Sequence, residues 1–129
     1  MLKDTPQAFN EYAPDNYAST FKGPVQAWYA LVDSRNIPAV GLAQQISNPD
    51  LYDFLQQAQI SNLKNKEHYG LSIVLGSAEV SMLELTRLYV MLANNGIYKN
   101  IKFYKKSFAT NNLINKNYEK KLLTQESSF

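Results

Sequence analysis

Residues 30–40 read ALVDSRNIPAV, and this stretch contains the end of one predicted helix and the start of the next. Apolar residues recur at helical spacing from just before this stretch into its first residues: Val25, Trp28, Leu31 and Val32. We therefore predict an amphipathic helix of about two to three turns, with Pro24 at its first position. A second helix is predicted to begin near Pro38, because the residue before a proline disfavours helical angles. Ser34 and Asn36 lie between the two helices, either as helix-end polar residues or as side chains directed into a site.

The flanking segments predict a mainly helical chain. Residues 1–23 are rich in turn formers and aromatic side chains, which predicts an irregular, partly buried segment. The Asn-Pro-Asp triplet at 48–50 is a helix-start signal for a third helix. Residues 62–68 are polar and predict a loop, whereas residues 69–80 predict an extended or strand-like segment.

The clearest helix prediction, the fourth, follows residue 81. Ser81 and Glu84 have the spacing of a capping box, and Asn95 and Gly96 form a helix-end signal. Apolar residues occupy one predicted face: Leu85, Leu88, Tyr89 and Leu92. Because other faces are apolar too, we predict that this helix is buried on most sides.

Composition restricts the class of protein. A chain of 129 residues with 45% hydrophobic and 19% charged residues is typical of one soluble globular domain. The sequence shows neither an apolar run of bilayer length nor a signal-peptide pattern. It has no cysteine, which excludes disulfides and thiol catalysis. With His68 as its one histidine, no metal or other cofactor is expected.

Basic charge is concentrated late in the chain. Residues 1–98 carry six cations and nine acids, whereas residues 99–121 carry seven lysines and one glutamate. A partner selected by charge would meet this late segment, although a solvated surface is its simplest interpretation.

Two longer sequence blocks, one of which contains the Ser-Arg-Asn triplet, indicate that the triplet is a family motif. They are YAPDNYASTFKGPVQAWYALVDSRNIPAV at 12–40 and YGLSIVLGSAEVSMLELTRLYVMLANNGIY at 69–98. Together they closely resemble the transpeptidase domain of class A penicillin-binding proteins. The resemblance implies a partial domain, mainly α, from the helical subdomain of the α/β serine D,D-transpeptidase (β-lactamase-like) fold.

The family uses three motifs: Ser-x-x-Lys, Ser-x-Asn, and Lys-Thr-Gly or Lys-Ser-Gly. A serine hydroxyl needs a neighbouring base to become a nucleophile, the oxyanion needs preorganised donors, and the departing D-alanine amine needs a proton. The resemblance implies that Ser34 lies on that proton route and that the Asn36 amide hydrogen-bonds the peptide stem. Arg35 occupies the variable middle position, so no chemical role is assigned to it.

Only the middle motif is present in this sequence. Ser19 to Lys22 spells Ser-x-x-Lys, but Gly23 and Pro24 follow directly, so Lys22 would precede the helix that should hold both side chains. Ser61 to Lys64 is a second chance match, in a polar segment, and no Lys-Thr-Gly or Lys-Ser-Gly occurs. We therefore expect an internal slice of a transpeptidase that is catalytically inert by itself.

These considerations divide the chain into three segments: an irregular connector at 1–23, a helical core with the motif at 24–98, and a weakly matching part at 99–129. In the parent enzyme, the resemblance implies peptidoglycan stem peptides and β-lactams as ligands, the rest of the transpeptidase domain as partner, and a location on the periplasmic side of the inner membrane. Nucleic acid is not expected. An incomplete domain should also expose an apolar face and self-associate, which size-exclusion chromatography would detect.

Two other classes of function remain open. One is a non-catalytic helical protein-interaction module. The other is a small helical nucleic-acid-binding domain, in which residues 79–98 would act as a helix-turn-helix followed by a basic tail. The second is disfavoured because a groove-reading helix needs a polar exposed face, and salt-dependent DNA binding would be its test.

Overall fold

The computed structural model describes residues 1–101 and 118–128, and that part of the chain is mainly helical. Its α-helices are α1 (Ala27–Val32), α2 (Asn36–Gln45), α3 (Leu51–Gln57), α4 (Lys66–Tyr69) and α5 (Met82–Ala93). Its strands are β1 (Leu2–Asp4), β2 (Gly23–Val25), β3 (Ile97–Lys99) and β4 (Glu119–Lys121). Two 3₁₀-helices complete it, Gly70–Leu75 and Glu126–Ser128.

The chain forms two compact units. The first comprises Met1–Gln56 with Asn62–Glu79, and the second comprises Gln57–Ser61 with Val80–Phe129. The sequence-based division into three segments describes similarity to a family rather than contacts, so it stays a prediction. Most of the lysine-rich segment that was expected to be a solvated surface lies outside the described residues.

The first unit contains a two-stranded antiparallel sheet that local sequence patterns did not predict. Strand β1 pairs with β2 in the register Leu2 to Val25 and Asp4 to Gly23. Residues 1–23 were predicted to have little regular structure, and the regular structure they do contain is β1 and the first residue of β2. Pro24 lies in β2 and not in helix α1, since a proline is tolerated where a strand has a partner on one side only.

The core of the first unit centres on Phe9, Ile37 and Val40, all buried. Leu71 and Val74 pack against this cluster from the Gly70–Leu75 3₁₀-helix. Residues three apart eclipse in a 3₁₀-helix, so both side chains reach the same neighbours. The prediction of an extended segment over residues 69–80 is wrong for this stretch, where the apolar residues follow a period of three and not two.

Helices α3 and α4 begin at side-chain caps. Asp50 accepts a hydrogen bond from the Asp53 N–H (2.9 Å), and the Asp53 side chain accepts one from the Asp50 N–H (3.1 Å). The predicted start signal is thus correct, but the side chain that caps the helix is Asp50. Asn65 accepts from the His68 N–H, so a short helix interrupts the loop predicted at 62–68.

The capping box of α5 is confirmed. Ser81 accepts from the Glu84 N–H (3.3 Å), and the Glu84 carboxylate accepts from the Ser81 N–H (2.9 Å). Gly96 and Asn95 both have positive φ, as the predicted helix end requires. The predicted burial is wrong, because Tyr89 is 67% exposed and within α5 only Glu84 and Met91 are buried.

Glu84 should make the second unit sensitive to acid. The Ser81 hydroxyl, which donates to this carboxylate, and the N–H groups of Ser61 and Ser81 outweigh burial and lower the pKa of Glu84 to about 2. A lowered folded-state pKa gives stability that is present above the ordinary glutamate value of 4.5 and is lost as pH falls towards 2. As pH falls from above 4.5 towards 2, we expect the free energy of unfolding to decrease less in Glu84→Gln than in the unmodified chain. Urea unfolding at pH 6 and at about pH 3 measures the difference, and equal losses in both proteins would contradict it.

Candidate functional site

Helix α1 ends in a Schellman motif that contains Ser34. The Arg35 N–H donates to the carbonyl of Ala30 (2.9 Å), and the Ser34 N–H donates to the carbonyl of Leu31 (3.2 Å). Ser34 has a φ of 49°, in the left-handed region where this position usually holds glycine. For a residue with a Cβ that conformation costs about 1 kcal/mol or more. Ser34 therefore terminates helix α1. Glycine would serve that backbone role with less strain, so the backbone does not explain why the residue is serine.

The Ser34 hydroxyl faces solvent without a partner. The residue is exposed, and within residues 1–101 and 118–128 no hydrogen bond to its Oγ is formed. The preceding helix shares this exposure, since Trp28 is 64% exposed and Leu31 is 81% exposed. Trp28, Leu31 and Val32 of the predicted apolar stripe are thus uncovered in the described structure. The fourth member, Val25, is buried in β2, and Ala30 is the buried residue of α1.

Asn36 is the first residue of α2, and its environment is more enclosed. Its backbone N–H has no partner within the helix, as for any first-turn residue, and it donates to Asn16 Oδ1 (2.9 Å). Its side-chain Nδ2 donates to the backbone carbonyl of Asp15 (2.7 Å). Among the described residues, the second amide hydrogen and Oδ1 of Asn36 have no partner, so the side chain is held in place and can still bind a peptide group.

Arg35 lies between these two residues and points into the first unit. It is 8% exposed, and its Nε and Nη2 lie 2.8 and 2.7 Å from Oδ2 of Asp4, which is 0% exposed. Asp4 Oδ1 accepts from Asn16 Nδ2 (2.8 Å), and both Asn16 and Arg35 donate to the carbonyl of Thr20. Arg35 was assigned no chemical role from sequence because it occupies the variable position of the motif. Its partner Asp4 lies 31 residues away, beyond any local pattern.

The Asp4 carboxylate is stabilised in its charged form. Burial by itself would raise the pKa of Asp4, but hydrogen bonds from Asn16, Arg35 and the Lys22 N–H hold that pKa below its usual value. Its contribution to stability is therefore present above the ordinary aspartate pKa and is lost as pH falls through the lower folded-state value.

The structure supports the rejection of Ser19 and Lys22 as a nucleophile pair. Ser19 lies in a turn with a φ of 48°, and its hydroxyl donates to Asp15 Oδ2 (2.5 Å). Lys22 Nζ donates to the Tyr29 hydroxyl (2.8 Å) and lies 3.7 Å from Asp33. The hydrogen bond to Tyr29 and the charge of Asp33 raise the pKa of Lys22. A lysine that activates serine needs the opposite shift.

The Ser61 to Lys64 match and His68 do not come together as a catalytic site in the described residues. Lys64 Nζ lies 3.4 Å from His68 Nε2, whereas the Ser61 N–H donates to Glu84. In the described ranges, no three His, Asp or Glu side chains converge in a way that could hold a metal ion. No helix in that part of the chain is long and apolar enough to cross a membrane.

Another polar cluster lines a cavity of about 390 Å³ in the first unit. There, Lys66 Nζ pairs with Asp50 Oδ2 (2.6 Å) and lies 3.7 Å from Asp53. Because Lys66 offsets part of the negative charge of the two carboxylates at the start of α3, we interpret this cluster as support for that helix.

Glycine at position 34 should stabilise the chain. Ser34→Gly removes the Cβ from a left-handed residue, and the gain exceeds the extra flexibility of the unfolded chain by up to about 1 kcal/mol. Ser34→Ala keeps the Cβ and should not share this gain, so it is the matched control. Thermal unfolding of the two variants and the parent checks this, and a lower melting temperature for Ser34→Gly would contradict the backbone assignment.

Sequence comparisons identify the family. The family described as "Penicillin binding protein transpeptidase domain" matches residues 2–128. The chain belongs to that family, and the resemblance predicted from sequence is confirmed.

Similar proteins include class A penicillin-binding proteins of two bacteria. Penicillin-binding protein 1C of Escherichia coli (strain K12) is 30% identical over 97 residues, which cover 74% of this chain. Penicillin-binding protein 1F of Bacillus subtilis (strain 168) is 33% identical over 100 residues, which cover 76% of this chain. The matched part amounts to 13% of the length of each of these relatives.

Proposed function

We propose that this chain supplies the Ser-x-Asn part of a peptidoglycan D,D-transpeptidase, with Ser34 and Asn36 as its site residues. The observation that carries the proposal is Ser34 itself. It has an exposed hydroxyl without a partner in the described residues, at a backbone position that favours glycine. A strained backbone conformation persists only where the surrounding structure holds it in place, and residues in such conformations cluster at active sites.

Ser34 suits a proton-relay role. A hydroxyl donates and accepts at once, so it can take a proton from a neighbouring lysine and pass it to a departing amine. This requires a donor and an acceptor on opposite sides of the oxygen. The solvent-facing side of Ser34 leaves room for both, and in the complete enzyme they would be the motif lysine and the D-alanine amine.

Asn36 suits a binding role. Its Nδ2 is anchored on the carbonyl of Asp15, which fixes the amide plane and leaves Oδ1 to accept from a peptide N–H. We therefore propose that Asn36 binds the stem peptide, and that β-lactams, which react as substrates of this family, are bound in the same way. We propose that the parent enzyme is located on the periplasmic side of the inner membrane.

The isolated chain should be inert towards penicillin. Ser34 has no attacking serine from which to relay a proton, and Ser19 lacks an activated base because the pKa of Lys22 is raised. We expect no covalent adduct when the 129-residue chain is incubated with a fluorescent penicillin and analysed by intact-mass spectrometry. Intact penicillin-binding protein 1C of E. coli is the positive control. An adduct on Ser19 or Ser34 would overturn the assignment of roles.

The fold supports assignment to the helical subdomain of the family's α/β fold. The described residues are mainly helical, and α1 and α5 carry exposed apolar side chains that a neighbouring part of the same domain would cover. The same exposure favours a second candidate function, a non-catalytic interaction module that self-associates. The apolar character of the exposed residues of α5 does not favour nucleic acid as the partner.

A further inference from the structure

The middle residue of the Ser-Arg-Asn triplet is connected to Asn36 through a closed circuit of buried and partly buried contacts. Arg35 Nε and Nη2 contact Asp4 Oδ2, and Asn16 Nδ2 donates to Asp4 Oδ1. Asn16 Oδ1 then accepts from the Asn36 backbone N–H (2.9 Å), which returns the circuit to the triplet. Each polar group of this circuit therefore holds two others in position.

We infer that Arg35 and Asp4 are positioning residues that fix the backbone on which Ser34 and Asn36 are presented. The inference rests on the proposed function of those two residues and adds a role for the variable position of the motif. Arg35 touches no reacting group, so it acts through Asp4 and Asn16.

The geometry favours positioning over simple support of the fold. The Asn36 N–H is a first-turn donor, so its protection depends on Asn16 and not on the ladder of α2. Asn16 is in turn oriented by its two donations, to Asp4 Oδ1 (2.8 Å) and the Thr20 carbonyl (2.9 Å). If the guanidinium is removed, Asp4 and Thr20 lose a shared donor and Asn16 loses the groups that orient it.

Hydrogen exchange of individual amides in the full 129-residue chain tests this inference. The double variant Asp4→Asn with Arg35→Met removes both charges, so no uncompensated buried charge remains to unfold the chain. We expect the acceleration of the Asn36 amide in this variant to exceed that of the Val40 amide within α2 by at least about tenfold, because the Val40 amide reports only the change in stability of the whole unit. Lys66→Met, which removes a half-exposed cation of the same unit, is the matched control and should leave Asn36 unchanged.

Two results of this experiment would contradict a positioning role for Arg35 and Asp4. Unchanged exchange at Asn36, or equal acceleration at Asn36 and Val40, would overturn the positioning role. If the double variant lacks the helical circular dichroism of the parent, Arg35→Lys serves instead. Lysine keeps the charge but loses the two-pronged donor, so Asn36 should exchange at least about threefold faster, and unchanged exchange would again overturn the inference.

Participation of Ser34 in acylation is a separate measurement on a complete transpeptidase. Unchanged exchange at Asn36 would therefore leave the proposed function standing. Conversely, a Ser34 variant with a normal acylation rate would remove the proposed function even if the Asn36 amide responds as expected.

Discussion

Arg35→Met is expected to lower the free energy of unfolding of the chain by about 3–5 kcal/mol, the range for removing one partner of a buried ion pair. The reason is Asp4, which is 0% exposed and would keep a charge without its guanidinium partner. Methionine preserves most of the length of the arginine side chain, so lost packing contributes little. Urea unfolding followed by circular dichroism at neutral pH measures the change.

Two controls make this result specific to the buried pair. Lys66→Met removes a cation from a half-exposed pair with Asp50 and should cost no more than about 1 kcal/mol. Adding Asp4→Asn to Arg35→Met should recover part of the loss, because the buried charge is then gone. A loss below about 1 kcal/mol for Arg35→Met would show that the pair does not support the first unit.

Ser34→Ala in a complete transpeptidase should slow acylation by penicillin by about 10²- to 10⁴-fold, the usual contribution of one proton-transfer group. A suitable enzyme is a chimera in which this chain replaces the segment of E. coli penicillin-binding protein 1C that it aligns with. Rapid mixing with a fluorescent penicillin gives the acylation rate. The reason is the loss of the hydroxyl from the proton route, since alanine keeps the Cβ and the backbone geometry of position 34.

The matched control for this measurement is Ser72→Ala in the same chimera. Ser72 is a serine of the first unit that donates to the Tyr69 carbonyl and takes no part in the proposed site. Its variant should acylate at the rate of the unmodified chimera. If Ser34→Ala acylates within about threefold of that rate, Ser34 does not carry the proton.

Local signals in the sequence were sufficient where the structure is determined locally. The capping box of Ser81 and Glu84 involves residues three apart, and it forms as predicted. The helix restart near Pro38 is equally local, and α2 begins at Asn36. By contrast, Pro24 was assigned to a helix because proline suits the first helical position. That assignment failed because its strand partner Lys3 is 21 positions away and cannot be recognised from the neighbouring residues.

Sequence likewise identified only some of the residues of the candidate site. Ser34 and Asn36 could be identified from the motif and the blocks around it. The role of Arg35 could not, because it depends on Asp4, 31 residues earlier in the chain. The apolar residues of α1 and α5 had helical spacing, but spacing cannot say whether anything covers them. Their exposure depends on which other parts of a domain are present.

We propose that the function of Ser34 depends on its hydroxyl, although the backbone at position 34 favours glycine. The most direct test compares Ser34→Gly with Ser34→Ala in the chimera, with both acylation rate and melting temperature measured. We predict that both variants lose acylation to a similar extent, although glycine raises the melting temperature and alanine does not. A Ser34→Gly chimera that acylates at the unmodified rate would contradict the claim, because it would show that position 34 serves only to end the helix.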